Sequence, residues 1–392
     1  MSTLAHKLSV ACVLAASSSA LAQPVIVGWS GARAFPNGAL ATGSLFAELR
    51  ADLGTVLEPA TLRIGTTITP QLLQGASLAI FTSVAGLNND PISPLTAAEQ
   101  QALVSWIEGG GRALILTDNA QGFHTANSSL VLPLGLVSLQ ATYAGVQSAY
   151  SLLLPFCGIN HGPFGSSGEI RGSDVGDLYA PGAGYFRWGI PGSDTAVALA
   201  VLGQGRALIC ADAALIDSTV GGGWAPNAVF RRNILAAFAA VRIRVQAPLS
   251  PLCLGRPLAL SLPAGVVADS FQWRRNGLNL GNGGTISGAT TPTLTISSLA
   301  PADFGSYDCV LTGTCGIFPA TFTTAPCEVA ACIANCDCST TAPILNVNDF
   351  QCFLAAYAAE DPAANCDAST VTPTLNVGDF ICFLNQFAAG CP

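Results

Sequence analysis

The sequence holds a single lysine, Lys7, and only three histidines, His6, His124 and His161, in 392 residues. A chain without lysine beyond position 7 offers no Schiff-base amine and no phosphate-loop lysine. So few imidazoles leave little room for a multi-histidine metal site. Charge is sparse as well: Asp, Glu, Lys and Arg make up 10% of the residues, with a net charge of −8. No basic residue of any kind follows Arg275, while acids continue to Asp379. That imbalance argues against nucleic acid or an anionic membrane as partner, and suits cation binding or plain solubility. After the first residues no stretch is apolar for long enough to span a bilayer.

What is present begins with an export signal. Lys7 precedes an apolar stretch from Leu8 to Ala16, and small residues lead to Ala20-Leu21-Ala22 before Gln23. This is the pattern of a secretory signal peptide over residues 1–22, cut after Ala22. The expected protein is secreted, extracellular or associated with a cell surface, where most cysteines pair. Of the fourteen cysteines Cys12 leaves with the signal, so the remainder is odd in number.

The end of the chain repeats itself. Ala334-Asn335-Cys336-Asp337-Cys338-Ser339-Thr340 leads through Leu345-Asn346-Val347 and Asp349-Phe350 to Cys352-Phe353-Leu354. Thirty residues later Ala364-Asn365-Cys366-Asp367 leads through Ser369-Thr370, Leu375-Asn376-Val377 and Asp379-Phe380 to Cys382-Phe383-Leu384. Each copy sets oxygen-bearing side chains at alternate positions, then Asn and Asp just before a helix-like apolar pattern at Phe350, Phe353, Leu354 and Tyr357. Such a series is what a hard, oxygen-seeking Ca²⁺ needs. Asx residues at a helix start also serve as turn and N-cap residues without any metal, and that reading stands beside the first. The matched spacing of Cys336 to Cys352 and of Cys366 to Cys382 suggests one loop-to-helix disulfide per copy, with Cys332 and Cys391 joining the ends of the module. Cys338 is left over, opposite Ala368, either as a thiol or as an intermolecular link. A zinc cluster of Cys332, Cys336 and Cys338 is a minor competitor.

These residues resemble a tandem dockerin of the cysteine-containing type that ends in Gly-Cys, here Gly390-Cys391. The resemblance implies two F-hands, each a calcium loop with one helix, that attach a secreted protein to a protein or surface receptor. It assigns ligand positions 1, 3, 5, 9 and 12 to Asn335, Asp337, Ser339, Asn346 and Asp349 in the first copy, and to Asn365, Asp367, Ser369, Asn376 and Asp379 in the second. Each loop departs from the family by three extra residues around a proline, and by Asn where position 1 is usually Asp.

From about Arg244 short alternating segments take over. Cys253, Trp273 and Cys309, with Asp303-Phe304-Gly305-Ser306-Tyr307-Asp308-Cys309, resemble an immunoglobulin-like domain over residues 244–329. That resemblance implies a sandwich in which Trp273 packs on a Cys253–Cys309 disulfide and Tyr307 makes a tyrosine corner. Cys315 and Cys327 bracket a final hairpin and form a candidate second bridge. No loop presents an aromatic or arginine hot spot, so the expected role is that of a spacer.

Residues 23–243 alternate strand-like and helix-like segments. Pro24 to Trp29, Ala76 to Thr82 and Arg112 to Thr117 read as strands, and Thr96 caps a helix carrying Leu103, Val104 and Ile107 on one face. Thr195 to Leu202 and Arg206 to Ala211 flank the turn Gly203-Gln204-Gly205, and a last helix turns Phe230, Ile234, Leu235 and Phe238 inward. This predicts an α/β sandwich with a mainly parallel sheet. The helix, triple-glycine and strand unit ending at Asp118-Asn119, with the closing segment from Gly205-Arg206 to Asn233-Ile234-Leu235, resembles class I glutamine amidotransferase-like domains. The active members need a cysteine on a strand-to-helix turn, whereas Asp118-Asn119-Ala120-Gln121-Gly122 follows the strand here. Of the two thiols in the unit, Cys210 lies in an apolar strand and Cys157 near His161. Asp118, His124 and Asp212 form the candidate ligand mouth at the carboxyl ends of strands, with helix or turn capping as the alternative.

The expected molecule is therefore multidomain: the α/β sandwich, then an Ig-like β-sandwich, then a small α-helical dockerin-like tandem repeat over residues 330–392. Its expected function is attachment through Ca²⁺ with ligand recognition by a non-catalytic first domain. The alternative is a surface-anchored hydrolase, acting on polysaccharide, with paired acids as general acid and base. A third reading makes the repeats purely structural.

Overall fold

The computed structural model describes residues 23–30, 33, 38–82, 94–117, 124–139, 147–151, 161–167, 169–173, 177–179, 185–189, 195–217, 225–247, 252–315, 318–330, 333–339, 343–367 and 369–390. The signal segment 1–22, Asp118, Cys157, Cys332 and Cys391 lie outside these residues, as do the side chains of His124 and Cys315.

Seven strands make the first sheet: β1 (Val25–Trp29), β2 (Thr61–Gly65), β3 (Leu78–Thr82), β4 (Arg112–Leu116), β5 (Tyr185–Gly189), β6 (Thr195–Leu202) and β7 (Gly205–Cys210). Their order is β5-β6-β7-β4-β3-β1-β2. β2, β1, β3, β4 and β7 run parallel, and the antiparallel pair β6 and β5 extends one edge. β3 is buried along its whole length, as expected of a central parallel strand covered on both faces. The helix Ala97–Glu108 starts at a capping box between Thr96 and Glu99 and buries Leu103 and Ile107, with Val104 half-buried. The β6–β7 turn docks under the end of this helix so closely that a Cβ on Gly205 would lie 1.9 Å from the Ile107 carbonyl oxygen. Only glycine fits there.

The helix Ala225–Asn233 widens into π-type turns over Ile234–Phe238, and Phe230, Ile234, Leu235 and Phe238 all face the core. Arg231, also buried, reaches Asp52 at 2.9 Å and Glu48 at 2.7 Å on the helix Ala47–Asp52. Early and late segments of the unit are thus joined by a paired charge network, the form in which a buried cation is tolerated.

The following segment is hydrogen-bonded on both sides. Arg242 N donates to the Glu58 carboxylate at 2.8 Å, and Arg244 N to the Val56 carbonyl at 2.9 Å. Ala325 N donates to the Ile243 carbonyl at 2.7 Å, and Gln246 exchanges two backbone bonds with Ser261. The boundary expected at 243–244 falls inside this bonded stretch. Two antiparallel sheets follow. One has the order Leu258–Ser261, Thr293–Ile296, Ile286–Ser287. The other sets Ser270–Arg275 against Gly305–Cys315, with Leu278–Asn279, Phe318–Thr323 and Cys327–Val329 completing it. Trp273 and Tyr307 are fully buried, and the Tyr307 hydroxyl donates to the Asp303 carbonyl.

The disulfide expected between Cys253 and Cys309 is not the one this arrangement holds. Cys309 faces Trp273 in the strand register and carries a buried thiol, which burial pushes up to about 12. Cys253 is directed instead to Cys338, with which it shares a side-chain hydrogen bond. Cys327 is a half-cystine.

The C-terminal helices Val347–Ala358 and Val377–Ala389 pack through Phe353 and Phe383, whose rings stack with centroids 4.2 Å apart. Ala334 and Ala364 complete this small core. Cys336–Cys352 and Cys366–Cys382 are disulfides with Cα atoms 5.7 and 5.8 Å apart. Leu354 and Leu384 face outward, while Phe350 and Phe353 pack on Phe380 and Phe383 across the helix–helix seam. No helix among the described residues is long and apolar enough to cross a membrane.

Candidate functional site

The two repeats build the same loop from the same bonds. In the first, the Asn335 and Asp337 side-chain oxygens both accept from Ser339 N, at 2.9 and 2.8 Å. Asp337 N donates to one Asp349 carboxylate oxygen at 3.2 Å, and Asn346 N to the other at 2.8 Å. Asn346 accepts from Asn348 N at 2.9 Å, completing a capping box with Asp349 at the third helical position. In the second copy Asn365, Asp367, Ser369, Asn376 and Asp379 repeat every one of these contacts, Gly378 taking the place of Asn348. All ten residues assigned from sequence are therefore brought together, five to a loop, and Asn346 and Asn376 do act as caps.

Capping alone leaves one feature without an explanation. Asp349 and Asp379 are fully buried. Burial pushes the Asp349 carboxyl up, and the adjoining Asp337 carboxyl pushes it further, against the lowering effect of the backbone donors. A carboxylate facing a second carboxylate is the arrangement that raises a pKa, and an added cation relieves it. In the second copy a Cβ on Gly378 would lie 2.6 Å from Asp367 Oδ2 and 2.8 Å from Asn376 Oδ1, so these oxygens converge on one spot. Oxygen-only donors of this kind suit Ca²⁺, and no residue beyond Arg275 in sequence can supply a positive charge. Among the described residues no three of His, Cys, Asp and Glu gather where they could hold a metal ion, and each loop brings together two carboxylates with amide and hydroxyl side chains.

The mouth of the first unit offers less. Asp212 is buried and caps the short turn Ala213–Ile216, its carboxylate accepting from Ala214 N at 2.8 Å. Asp118 and the His124 side chain lie outside the described residues. Burial raises the Cys210 thiol far above its ordinary range, with the Asp212 charge adding to it, so this is no nucleophile. His161 sits 3.4 Å from Ser166 Oγ. Sequence reasoning passed over a cluster at the same carboxyl ends of the strands. Arg33 lies over the Trp29 ring at 4.9 Å and pairs with the buried Glu99 at 3.3 Å. Thr96 reads as a helix cap from sequence, but nothing in the spacing ties Arg33 or Glu99 to it.

No protein-family model matches the chain, and no curated protein matches it. Parts of it are similar to solved structures. The exo-β-1,4-mannosidase Op5Man5 from Opitutaceae bacterium strain TAV5 is 13% identical over 55% of this chain and 36% of that one, with a TM-score of 0.37. This chain thus spans about a third of the mannosidase's length. A putative ThuA-like protein from Bacteroides uniformis is 13% identical over 56% of this chain and 95% of that one, with a TM-score of 0.34. Extracellular domains 3–5 of Drosophila OTK are 22% identical over 22% of this chain and 34% of that one, with a TM-score of 0.16.

Proposed function

We propose that this is an exported modular protein attached to a receptor through a calcium-binding, dockerin-like tandem. An immunoglobulin-like spacer separates that tandem from an amidotransferase-like α/β unit that recognises a ligand without catalysis. The observation that carries the reading is the buried carboxylate of Asp349 set against Asp337, with Asp379 equally buried and accepting from Asp367 N in the second copy, in a stretch of sequence without basic residues. Asn335, Asp337, Ser339, Asn346 and Asp349 would hold one ion, and their counterparts in the second copy the other. The ion would neutralise the paired carboxylates and fix each loop to its helix. Attachment is supported by apolar side chains that the core leaves uncovered at matching positions of the two helices, Val347 and Val377, 65% and 70% exposed, and Leu354 and Leu384 seven residues on. Two disulfides, one per copy, suit an oxidising compartment. The immunoglobulin-like reading draws on Trp273, Tyr307 and the Tyr307 to Asp303 bond.

The test is calorimetric titration of the chain from Gln23 onward with calcium. Two ions are expected to bind, D337A and D367A each removing one. A flat titration with both disulfides intact would sink the attachment reading and leave a stapled structural repeat.

A further inference from the structure

The odd cysteine of the first repeat sits at a junction. Cys338 occupies a left-handed backbone position, φ 58°, in the loop Asn335 to Ser339, where the second copy has Ala368. Its side chain hydrogen-bonds that of Cys253, which is only 7% exposed at the start of the two-sheet unit. The next residue, Leu254, lines a cavity of about 190 Å³ together with Cys338, Asn335, Phe353 and Ala364 of the repeats. The segment carrying Cys253 therefore packs directly on the first repeat. Cys309, the expected partner, is buried opposite Trp273 and makes its weak sulfur contact to the Val310 carbonyl at 3.8 Å.

We infer that Cys253 and Cys338 are a redox site, oxidised in the exported protein to a disulfide that locks the repeat module onto the two-sheet unit. The inference rests on the export reading. The oxidant is a small-molecule or protein disulfide of the compartment. Cys338, the more exposed thiol, attacks it as the thiolate and releases one oxidant thiol. Cys253 then displaces the second oxidant thiol from Cys338. Two cysteine S–H bonds are lost, one S–S bond forms, and the oxidant's S–S bond is reduced to two thiols, which accounts for two electrons and two protons.

Thiol counting does not decide this, because pairing Cys253 with Cys309 would leave the same number of thiols. The partner must be identified. The chain from Gln23 onward, refolded in a glutathione redox buffer, is alkylated under denaturing conditions and cleaved before aspartates. The cut before Asp337 separates Cys336 from Cys338. The fragment beginning at Asp337 should remain joined to the fragment carrying Cys253, with Cys309 alkylated. C338A should expose one additional alkylated cysteine, Cys253, and C309A should leave the crosslink intact. A Cys253–Cys309 linkage overturns the inference, and so does a Cys338–Cys338 dimer on a non-reducing gel. So does alkylation of both Cys253 and Cys338 while Cys336–Cys352 and Cys366–Cys382 are formed. The same mapping on secreted protein tests export separately: if all these cysteines are reduced there, the export reading fails, whereas loss of the junction crosslink alone leaves export standing.

Discussion

Two helices in this molecule begin with the same device and put it to opposite electrostatic use. Ahead of Ala97–Glu108, Thr96 and Glu99 exchange side-chain bonds with each other's backbone, and Arg33 stands 3.3 Å from the Glu99 carboxylate. Burial works to raise that carboxyl, but the backbone donors of Thr96 and Ile68, the Thr96 hydroxyl and the Arg33 charge together hold it below the usual carboxylate range. Ahead of Val347–Ala358, Asn346 and Asp349 make the same box, yet the nearby side-chain charge is Asp337 and the carboxyl is pushed up. One box is neutralised from within by Arg33, and the other sets its buried carboxylate against a second carboxylate.

Breaking the internally neutralised box should have the larger effect. E99A leaves Arg33 without its carboxylate and Ile68 N without its acceptor, and is expected to cost the α/β unit about 3 kcal/mol in denaturant unfolding. The pH dependence follows the same group. Its depressed folded pKa gives stability that is fully present above the ordinary glutamate value of about 4.3 and is lost as pH falls through the lower folded value. E99Q should flatten that loss when unfolding midpoints are compared between neutral and acidic buffers. In the repeats, D349A without calcium should cost only about 1 kcal/mol, since it removes a cap and a like-charge contact together. Saturating calcium should widen the difference between D349A and the parent chain. A smaller effect is expected from G378N, which copies Asn348 into the second repeat. The new Cβ would crowd Asp367 Oδ2, and its calcium affinity should fall by less than in D367A.

Much of this molecule is legible in the order of its residues. The repeat, the capping boxes, the buried strand β3 and the inward face of Phe230, Ile234, Leu235 and Phe238 follow from local pattern, which depends on neighbours three or four residues away. The Cys253 partner is a different kind of fact. The spacing of Cys253, Trp273 and Cys309 fits one sandwich, but Cys338 comes from a separate module, and its approach depends on how the two pack. Asp212 shows the same limit at shorter range: a carboxylate after a strand reads equally as ligand or cap, and the bond from Ala214 N, which shows it capping, depends on the turn the chain takes after the strand. Arg33 escaped notice because its partners, Trp29, Thr66 and Glu99, lie on three different segments.

The stretch from Arg242 to Gln246 gives the first two units a mechanical property. Its backbone bonds to Val56 and Glu58 on one side, and to Ser261 and Ala325 on the other, leave no slack chain between the units. A load applied across this joint would meet hydrogen-bonded strands before any coil, so it would transmit tension as a stiff strut and lengthen only by rupture.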